Sequence, residues 1–466
     1  MIKKENRYIR LWVVLGIAVV FWTIGAGFYK DLSAGNEETY KGLKLFSDVL
    51  DIVQRLYVDP VDPKVLIENA IQGMVHGLDP HSSLLPPEAL EDLQVDTQGE
   101  FTGIGISISM RDGFVTVVAP IEGTPAYKAG VKAGDKIIKA DGEPTRDLRD
   151  AVKKMRGPKG TSVVITIIRE GESEPLEFNI VRDIIPIESV KSKLLKPGYG
   201  YVWVTNFQEN TVRDLKIALT EMENGDAPLK GLVLDLRDNP GGLLNQAIDV
   251  CDLFLDEGTI LTIKGRDTKN EKEYRARADQ VKRDYPVVAL INGGSASASE
   301  IVAGALQDHK RALILGTTSF GKGSVQSVEN LREGYGLKLT IARYYTPSGR
   351  SIQAKGIEPD IELKYQAANE AEAEKSQDQI IKEKDLLNHL DAEPVNKDAG
   401  AAAPEDEGKE PREVKDDKKE GMPKIRGGEN RFGTLGEEQL QSDNQIMRAL
   451  EILISYDIFK GITVIK

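Results

Sequence analysis

The stretch "PVVALINGGSASASE", residues 286–300, joins an apolar run to a turn rich in Gly and Ser. Its first six residues have the length of a buried strand, and the serines that follow match the start of a helix. Ser297 and Glu300 fit an S-x-x-E capping box, which alone would explain the serines. Ser295 or Ser297 could instead be a nucleophile, and the local sequence ranks the two equally. The stretch therefore predicts a strand, a turn and a helix that could deliver a nucleophile.

Strands and helices alternate on both sides of this unit. From residue 184 to residue 363, apolar runs such as "GYVWVTNF", "GLVLDLRD" and "RALILGTT" alternate with helical runs such as "TVRDLKIALTEM" and "LNQAIDVCDLFL". Such alternation predicts a layered α/β core. In open α/β sheets, functional residues collect in the loops that follow the carboxyl ends of the strands.

The remaining segments have different textures. Residues 37–97 show helical periodicity, and residues 100–182 contain short β-like runs around one helical segment, "TRDLRDAVKKMRG". Beyond residue 365 the chain is rich in Glu, Lys, Asp and Ala until the periodic run "NQIMRALEILISY". We predict six segments: a membrane anchor (1–35), a helical region (36–97), a small mixed β domain (98–182), the α/β core (183–365), an acidic disordered linker (366–432) and a C-terminal helical segment (433–466).

The N-terminus predicts the location of the protein. A basic segment, "MIKKENRYIR", precedes an uncharged apolar run, residues 11–29, which is long enough to span a bilayer as a helix. A cleaved signal peptide is the alternative, but the run is long for one and no A-x-A site follows it. In a bacterium, we expect a single-pass anchor in the inner membrane, with the working part of the chain in the periplasm.

Composition excludes some partners. The chain has 466 residues and a formal net charge of -13, so nucleic acid is not expected as a partner, because phosphate contacts need a basic face. The single cysteine, Cys251, lies in an apolar run and is interpreted as a buried structural thiol. We expect neither a metal nor a cofactor.

A lysine in a Gly-flanked loop offers a base for the serines. The run "GTTSFGKGS", residues 316–324, nearly matches the phosphate-binding pattern G-x-x-x-x-G-K-[ST]. However, Gly323 stands where Ser or Thr must hold Mg²⁺, and a strand-like run follows instead of a helix. None of the four histidines lies in a loop of the core at a strand end, so a Ser-Lys pair with Lys322 fits the inventory better. Lys322 would then need a lowered pKa, which burial would provide.

A glycine pair offers donors for an oxyanion. In "LDLRDNPGGLLNQA", residues 234–247, a strand ends before Gly241 and Gly242, and a helix opens after them. Amides at a helix N-terminus lack partners within the helix and can point at a developing negative charge. A plain turn is the alternative, and the pair taken alone favours it.

Together these motifs resemble the C-terminal processing peptidases, membrane-anchored or secreted serine proteases of family S41 that carry a PDZ domain. The resemblance runs from about residue 49 to residue 360 and rests on ordered motifs: "YVDPVD", "AIQGMVHGLDPHS", "FTGIGI", "LDLRDNPGG", "NGGSASASEIVAGAL", "GTTSFGKGSVQ" and "YYTPSGRSIQAKGIEPD". It implies a multidomain α/β protein with a ClpP/crotonase-like layered protease core, an inserted PDZ domain and helical N- and C-terminal segments.

The resemblance also implies roles for single residues. Ser297 would be the nucleophile, Lys322 its base, and Gln326 the residue that orients the lysine. The oxyanion hole would use the amide of Ala298 and one of the two "NPGG" glycines, which the sequence does not distinguish. No motif residue is missing, so we expect an active enzyme.

Residues 98–182 resemble a PDZ domain, which binds an extended C-terminus as an added strand. The loop "FTGIGI" would receive the terminal carboxylate, and the following helix would wall an apolar pocket. The predicted peptide-binding residues are Phe101, Gly103, Ile104, Gly105, Ile106, Leu148, Val152 and Met155. Arg156, at the end of that helix, is a candidate gating contact, and a plain helix-end cation is the alternative.

The sequence therefore predicts an ATP-independent serine endopeptidase that cleaves extracytoplasmic proteins with apolar C-terminal tails. Its expected partners are these protein substrates, the membrane through residues 11–29, and further copies of the chain, with an adaptor protein left open. The alternatives are a non-catalytic periplasmic PDZ scaffold and a CoA-type acyl enzyme on a related layered fold.

Overall fold

The computed structural model describes residues 37–266, 271–277, 281–366, 381–392 and 437–463. The chain divides into two compact units, one that ends at His76 and one that begins at Gly77. In the first unit, helix α1 covers residues 37–56 and helix α2 covers Pro63–His76. Asp62 caps α2, because its Oδ1 accepts the Lys64 N–H at 2.8 Å.

The second unit contains the remaining described elements. Its helices are α3 (Pro87–Gln98), α4 (Pro125–Ala129), α5 (Leu148–Met155), α6 (Thr211–Glu223), α7 (Leu244–Asp252), α8 (Ala298–Asp308), α9 (Glu437–Ser442) and α10 (Asn444–Thr463). Its strands are β1 (Ser83–Leu85), β2 (Glu100–Gly103), β3 (Ile106–Arg111), β4 (Phe114–Pro120), β5 (Lys136–Ala140), β6 (Glu143–Pro144), β7 (Ser162–Ile168), β8 (Leu176–Val181), β9 (Asp183–Pro186), β10 (Val190–Lys196), β11 (Tyr199–Val204), β12 (Gly231–Asp235), β13 (Thr259–Gly265), β14 (Lys272–Arg275), β15 (Val287–Ile291), β16 (Ala312–Gly316), β17 (Ser324–Asn330), β18 (Gly336–Tyr345) and β19 (Ile361–Glu362).

A six-stranded sheet in the order β10-β11-β12-β15-β16-β19 forms the core of the second unit. Strand β10 is antiparallel to β11, and the other neighbours are parallel. Every residue of β12 and β15 is buried, as expected for central parallel strands. Because side chains alternate across a strand, Leu232 and Leu234 pack on one face with α6, α7 and α8, while Val233 packs on the other face with α10. The predicted layered α/β core is confirmed.

Three further sheets complete the second unit. Strands β1-β18-β13-β14, with β17 paired to β18, form a sheet that contributes Leu261 and Tyr344 to the same apolar core. The inserted β domain is a separate sheet, β3-β4-β5-β7-β8 with β6 on β5, which has its own apolar core and leaves β3 at its edge. Strands β2 and β9 pair antiparallel where the chain enters and leaves this domain.

Three neighbouring strand ends position the candidate site. Residues 236–243 follow β12, residues 292–297 follow β15, and residues 317–323 follow β16. Since these strands are parallel neighbours, their carboxyl ends meet at one edge of the sheet. Strand β17, and not a helix, follows the loop that nearly matches a phosphate-binding pattern, which argues against a nucleotide site there.

Two expectations concern the ends of the chain. Across the described ranges, no helix has both the length and the apolarity needed to cross a membrane, and the apolar run of residues 11–29 lies outside those ranges. The prediction of a disordered linker over residues 366–432 does not hold for residues 381–392. They pack on the core through the fully buried Glu383, whose contacts composition alone could not reveal.

Candidate active site

Ser297 occupies a strained turn immediately before α8. Its backbone has φ 54° and ψ -112°, a conformation that costs a non-glycine residue of order 1–3 kcal/mol and is typical of functional sites. The Ser297 N–H donates to Glu300 Oε2 at 2.8 Å, the carboxylate half of the predicted capping box. Ser295 is fully buried instead, and its Oγ donates to the Leu236 carbonyl at 2.7 Å. The Ser295 hydroxyl is thus engaged in a buried hydrogen bond, whereas Ser297 lies in the wall of a cavity.

The Glu300 side chain connects the serine turn to the lysine loop. Besides the Ser297 N–H, its oxygens accept the N–H of Gly321 at 2.8 Å, the N–H of Lys322 at 2.9 Å and the hydroxyl of Ser319 at 2.5 Å. Burial raises the pKa of Glu300 to about 7, although these hydrogen bonds act in the opposite direction. One buried carboxylate therefore holds both loops.

Lys322 lies in a strongly desolvated position. Burial, followed by the positive charge of Lys338, lowers the pKa of Lys322 to about 8, while Glu383, Glu300 and Asp79 act in the opposite direction. At pH 7 about one lysine in ten is then a free amine, against about one in a few thousand at the ordinary pKa. A lysine that acts as a base needs a lowered pKa, and Lys322 has one.

Tyr344 of β18 adjoins both loops. Its hydroxyl donates to the Lys322 carbonyl oxygen. Burial and the charge of Glu300 raise the pKa of Tyr344 well above its ordinary value, while a side-chain hydrogen bond with Ser297 acts in the opposite direction. Among the described residues, no hydrogen bond joins Lys322 Nζ to Ser297 Oγ.

The two glycines of "NPGG" differ in their hydrogen bonds. The Gly241 N–H donates to Asn239 Oδ1 at 2.9 Å, whereas the Gly242 N–H has no acceptor in the described part of the chain. The Ala298 N–H, at the first position of α8, is likewise without an acceptor there. Gly241 has φ 104°, and a Cβ on it would lie 2.9 Å from Ser297 Cβ, so only glycine allows this close approach.

A cavity of about 1010 Å³ is lined by several of these groups, but not by Lys322 or Glu300. Ser297, Ala298 and both glycines line it, together with residues of α3, α7, β17 and β18. Gln326 lies in the same wall, where its Nε2 donates to Ser324 Oγ at 3.0 Å and Thr340 Oγ1 at 3.3 Å. Its proposed contact with Lys322 therefore stays a prediction.

A second, smaller cavity of about 130 Å³ lies in the inserted β domain. It is lined by Phe101, Gly103, Ile104, Gly105, Ile106, Ile108, Val152, Met155 and Arg156. Every predicted peptide-binding residue lies there except Leu148, which packs against the apolar core of the domain. Because β3 is an edge strand, a peptide could pair with it as a further strand.

Arg156 lies between this groove and a helix of the larger cavity. Its guanidinium lies 5.4 Å from the centre of the Phe101 ring, and its Nη1 is 3.2 Å from Asp92 Oδ1 in α3. Leu90 and Leu93 of the same helix line the larger cavity. Arg156 therefore lines the smaller cavity and contacts, through Asp92, the helix that forms part of the wall of the larger cavity.

Sequence comparisons show the family of the chain. Residues 198–363 match the model for peptidase family S41, residues 116–169 match a PDZ domain, and residues 27–88 match the N-terminal domain of the activating protease CtpB. The carboxy-terminal-processing protease of Bartonella bacilliformis is 46% identical over 394 residues, 83% of this chain and 89% of the relative. The carboxy-terminal processing protease CtpB of Bacillus subtilis is 37% identical over 335 residues, 71% of this chain and 69% of the relative. The solved photosystem II D1 C-terminal processing protease is 33% identical, covering 69% of this chain and 92% of that chain, with a TM-score of 0.41.

The chain belongs to the carboxy-terminal processing proteases of peptidase family S41. This S41 protease is accordingly a serine peptidase with a PDZ domain, and the predicted family and enzyme class are confirmed.

Sequence reasoning missed two contributors to the site of this S41 protease. Glu300 was interpreted only as a capping residue, and Tyr344 was not singled out, although it lies in the "YYTPSGRSIQ" motif. Their roles depend on contacts between segments that lie 20 or more residues apart in the sequence, and a local sequence pattern does not reveal such contacts.

Proposed function

We propose that this S41 protease hydrolyses peptide bonds with Ser297 as nucleophile and Lys322 as its base, without ATP. The observation that carries the proposal is the Glu300 carboxylate, which accepts the backbone N–H of both residues. A single buried acceptor fixes the separation of the two loops, as a pair of groups that exchange a proton requires. The lowered pKa of Lys322 supports its role as a base.

In this mechanism the amine of Lys322 takes the Ser297 hydroxyl proton while Oγ attacks the scissile carbonyl carbon. The N–H groups of Gly242 and Ala298 stabilise the oxyanion, and both are without an acceptor among the described residues. Protonated Lys322 then donates its proton to the leaving amine, and water hydrolyses the acyl-enzyme by the same route. For proton transfer, Lys322 Nζ would replace the Tyr344 hydroxyl as the partner of Ser297 Oγ. Gln326 would then orient the lysine.

The PDZ groove would select the substrate. Its lining is mainly apolar and adjoins an edge strand, which suits an extended C-terminal tail with apolar side chains. Gly105, with φ 78° and no room for a Cβ beside Thr124, shapes the loop that would receive the terminal carboxylate. We propose extracytoplasmic proteins with such tails as the substrates.

Binding of a tail in the groove would affect the catalytic cavity through Arg156. A tail that displaces its guanidinium from Phe101 would also disturb its contact with Asp92 of α3. We expect a free tail peptide to accelerate cleavage by the wild type, and Arg156→Ala to bind tail peptides within about threefold of wild type but to show no such acceleration. Unchanged acceleration in the variant would refute the gating role.

Location and assembly follow from the N-terminal segments. The apolar run of residues 11–29 supports a single-pass inner-membrane anchor with the enzyme in the periplasm. Helices α1 and α2 expose apolar side chains such as Leu43, Leu56 and Met74, which supports a homo-oligomer. Membrane fractionation of the full chain and of a variant lacking residues 1–35 tests the anchor. Sedimentation of the latter tests the oligomer, and a monomer at micromolar concentration would contradict it.

One assay tests the catalytic proposal against the scaffold alternative. An unfolded protein with an apolar tail is incubated with wild type, Ser297→Ala and Lys322→Ala, beside the same substrate with a tail that ends in aspartates. We expect cleavage only by wild type, faster on the apolar tail, with tail binding retained in both variants. Substrate that is bound but left intact by wild type would favour the scaffold, and cleavage by Lys322→Ala at the wild-type rate would exclude the lysine as base.

A further inference from the structure

We propose that residues 381–392 supply Glu383 as a positioning residue for the catalytic lysine loop, held through Gln353 on one side and His81 on the other. The inference rests on the proposed role of Lys322 as base. Glu383 lies outside residues 198–363, which match the S41 family model.

The segment docks directly on the lysine loop. The Glu383 N–H donates to the Phe320 carbonyl at 3.3 Å, and Lys382 Nζ donates to the Thr318 carbonyl at 3.4 Å. The Glu383 side chain is fully buried. Burying a carboxylate is costly unless its oxygens are satisfied, so its partners indicate what it stabilises.

One oxygen of Glu383 is linked to the residue next to Lys322. Gln353 is fully buried, and its Nε2 donates to Glu383 Oε1 at 2.9 Å while its Oε1 accepts the Gly323 N–H at 2.9 Å. A Cβ on Gly323 would lie 2.6 Å from the Gln353 backbone nitrogen, so the loop fits tightly against this glutamine. A displacement of Glu383 would therefore be passed through Gln353 to the lysine loop.

The other oxygen of Glu383 begins a second path of contacts, which ends at Gln326. His81 Nε2 lies 2.7 Å from Glu383 Oε2, and the His81 N–H donates to Asp79 Oδ1 at 2.8 Å. Asp79 Oδ1 also accepts Thr340 Oγ1 at 3.1 Å, and Thr340 in turn accepts Gln326 Nε2 at 3.3 Å. Hydrogen bonds thus connect Glu383 to the glutamine implied to orient the base.

The charge of Glu383 also acts on Lys322. The groups that influence the lysine are Lys338, which favours the neutral amine, and Glu383, Glu300 and Asp79, which favour the ammonium. Removal of the Glu383 charge should therefore lower the pKa of Lys322, a change that a purely structural side chain would not produce. This sign provides the readout.

The experiment measures kcat against pH on the unfolded apolar-tailed substrate with the full chain. Glu383→Gln keeps the shape and removes the charge, so we expect the midpoint of the acid limb to move to lower pH by roughly 0.3–1 unit. Glu383→Ala removes the acceptor of the His81 ring and one of the two acceptors of Gln353 Nε2, whose other acceptor is the Leu390 carbonyl, and we expect kcat to fall about tenfold or more with KM unchanged. Asp391→Asn, an exposed carboxylate of the same segment, is the matched control and should change neither quantity.

Two results would overturn the inference. An unmoved acid limb in Glu383→Gln would show that its charge does not reach the base, even if Glu383→Ala is impaired or unfolded. A wild-type kcat in Glu383→Ala would show that the loop does not depend on the carboxylate. Lys322→Ala separates the two levels: if it is inactive while the Glu383 variants are normal, only this inference fails, and if it is fully active, the proposed base fails as well.

Discussion

Glu300→Gln removes the acceptor that holds the serine turn and the lysine loop together. The carboxylate accepts four hydrogens, two on each oxygen, whereas a glutamine amide has a single oxygen. Its NH₂ group must therefore face two of those donors, and each buried N–H or O–H left unsatisfied costs about 1–3 kcal/mol. The loops should relieve this cost of about 2–6 kcal/mol by moving apart.

A displacement of this kind affects catalysis before it affects substrate binding. Misplacement of reacting groups by about 1 Å lowers rates about 100-fold, so we expect kcat of Glu300→Gln to fall at least that far, equivalent to about 2.7 kcal/mol. Tail-peptide affinity, measured by fluorescence anisotropy, should be unchanged, because the PDZ groove does not include Glu300. Glu221→Gln, an exposed change on α6, is the control. A kcat within threefold of wild type, in a folded variant, would refute the reasoning.

Two further predictions concern charge and stability. Activity of the wild type should rise with pH through about 8, as Lys322 loses its proton, and fall more steeply below about 7, where Glu300 gains a proton. Lys338→Met removes the like charge beside Lys322, so the acid limb of the pH profile of this variant should move to higher pH. An acid limb that stays in place or moves to lower pH would contradict the effect assigned to Lys338. Arg237→Met should lower stability by about 3–5 kcal/mol, because the buried carboxylates of Asp235 and Asp443 lose their shared cation. Hydrogen exchange in α10 should then accelerate relative to an exposed control, Arg448→Met, and unchanged exchange would show that Arg237 does not anchor the C-terminal segment.

The alternation of strand and helix patterns was sufficient to predict the layered core, because each pattern reflects local periodicity and burial. The run "PVVALI" is a central strand in which residues 287–291 are all buried, and "SASASE" opens a helix, as its capping residues indicate. The acidic composition after residue 365 did not reveal that residues 381–392 pack on the core. Residues 381–392 pack on the core because Glu383 finds partners in distant elements.

For the site, the sequence by itself determined which side chains could carry the chemistry. The choice of nucleophile and base was narrowed by the small number of histidines, by a Gly-flanked lysine and by a serine cluster at strand ends. The ordered motifs then singled out Ser297 and Lys322. The tertiary structure alone decided how these groups are held. It engages the Ser295 hydroxyl with the Leu236 carbonyl and the Gly241 N–H with Asn239, leaves the Gly242 N–H without an acceptor among the described residues, and joins the two loops through Glu300. These contacts join residues on separate elements, and only the packing of parallel strands side by side brings their ends within hydrogen-bonding distance.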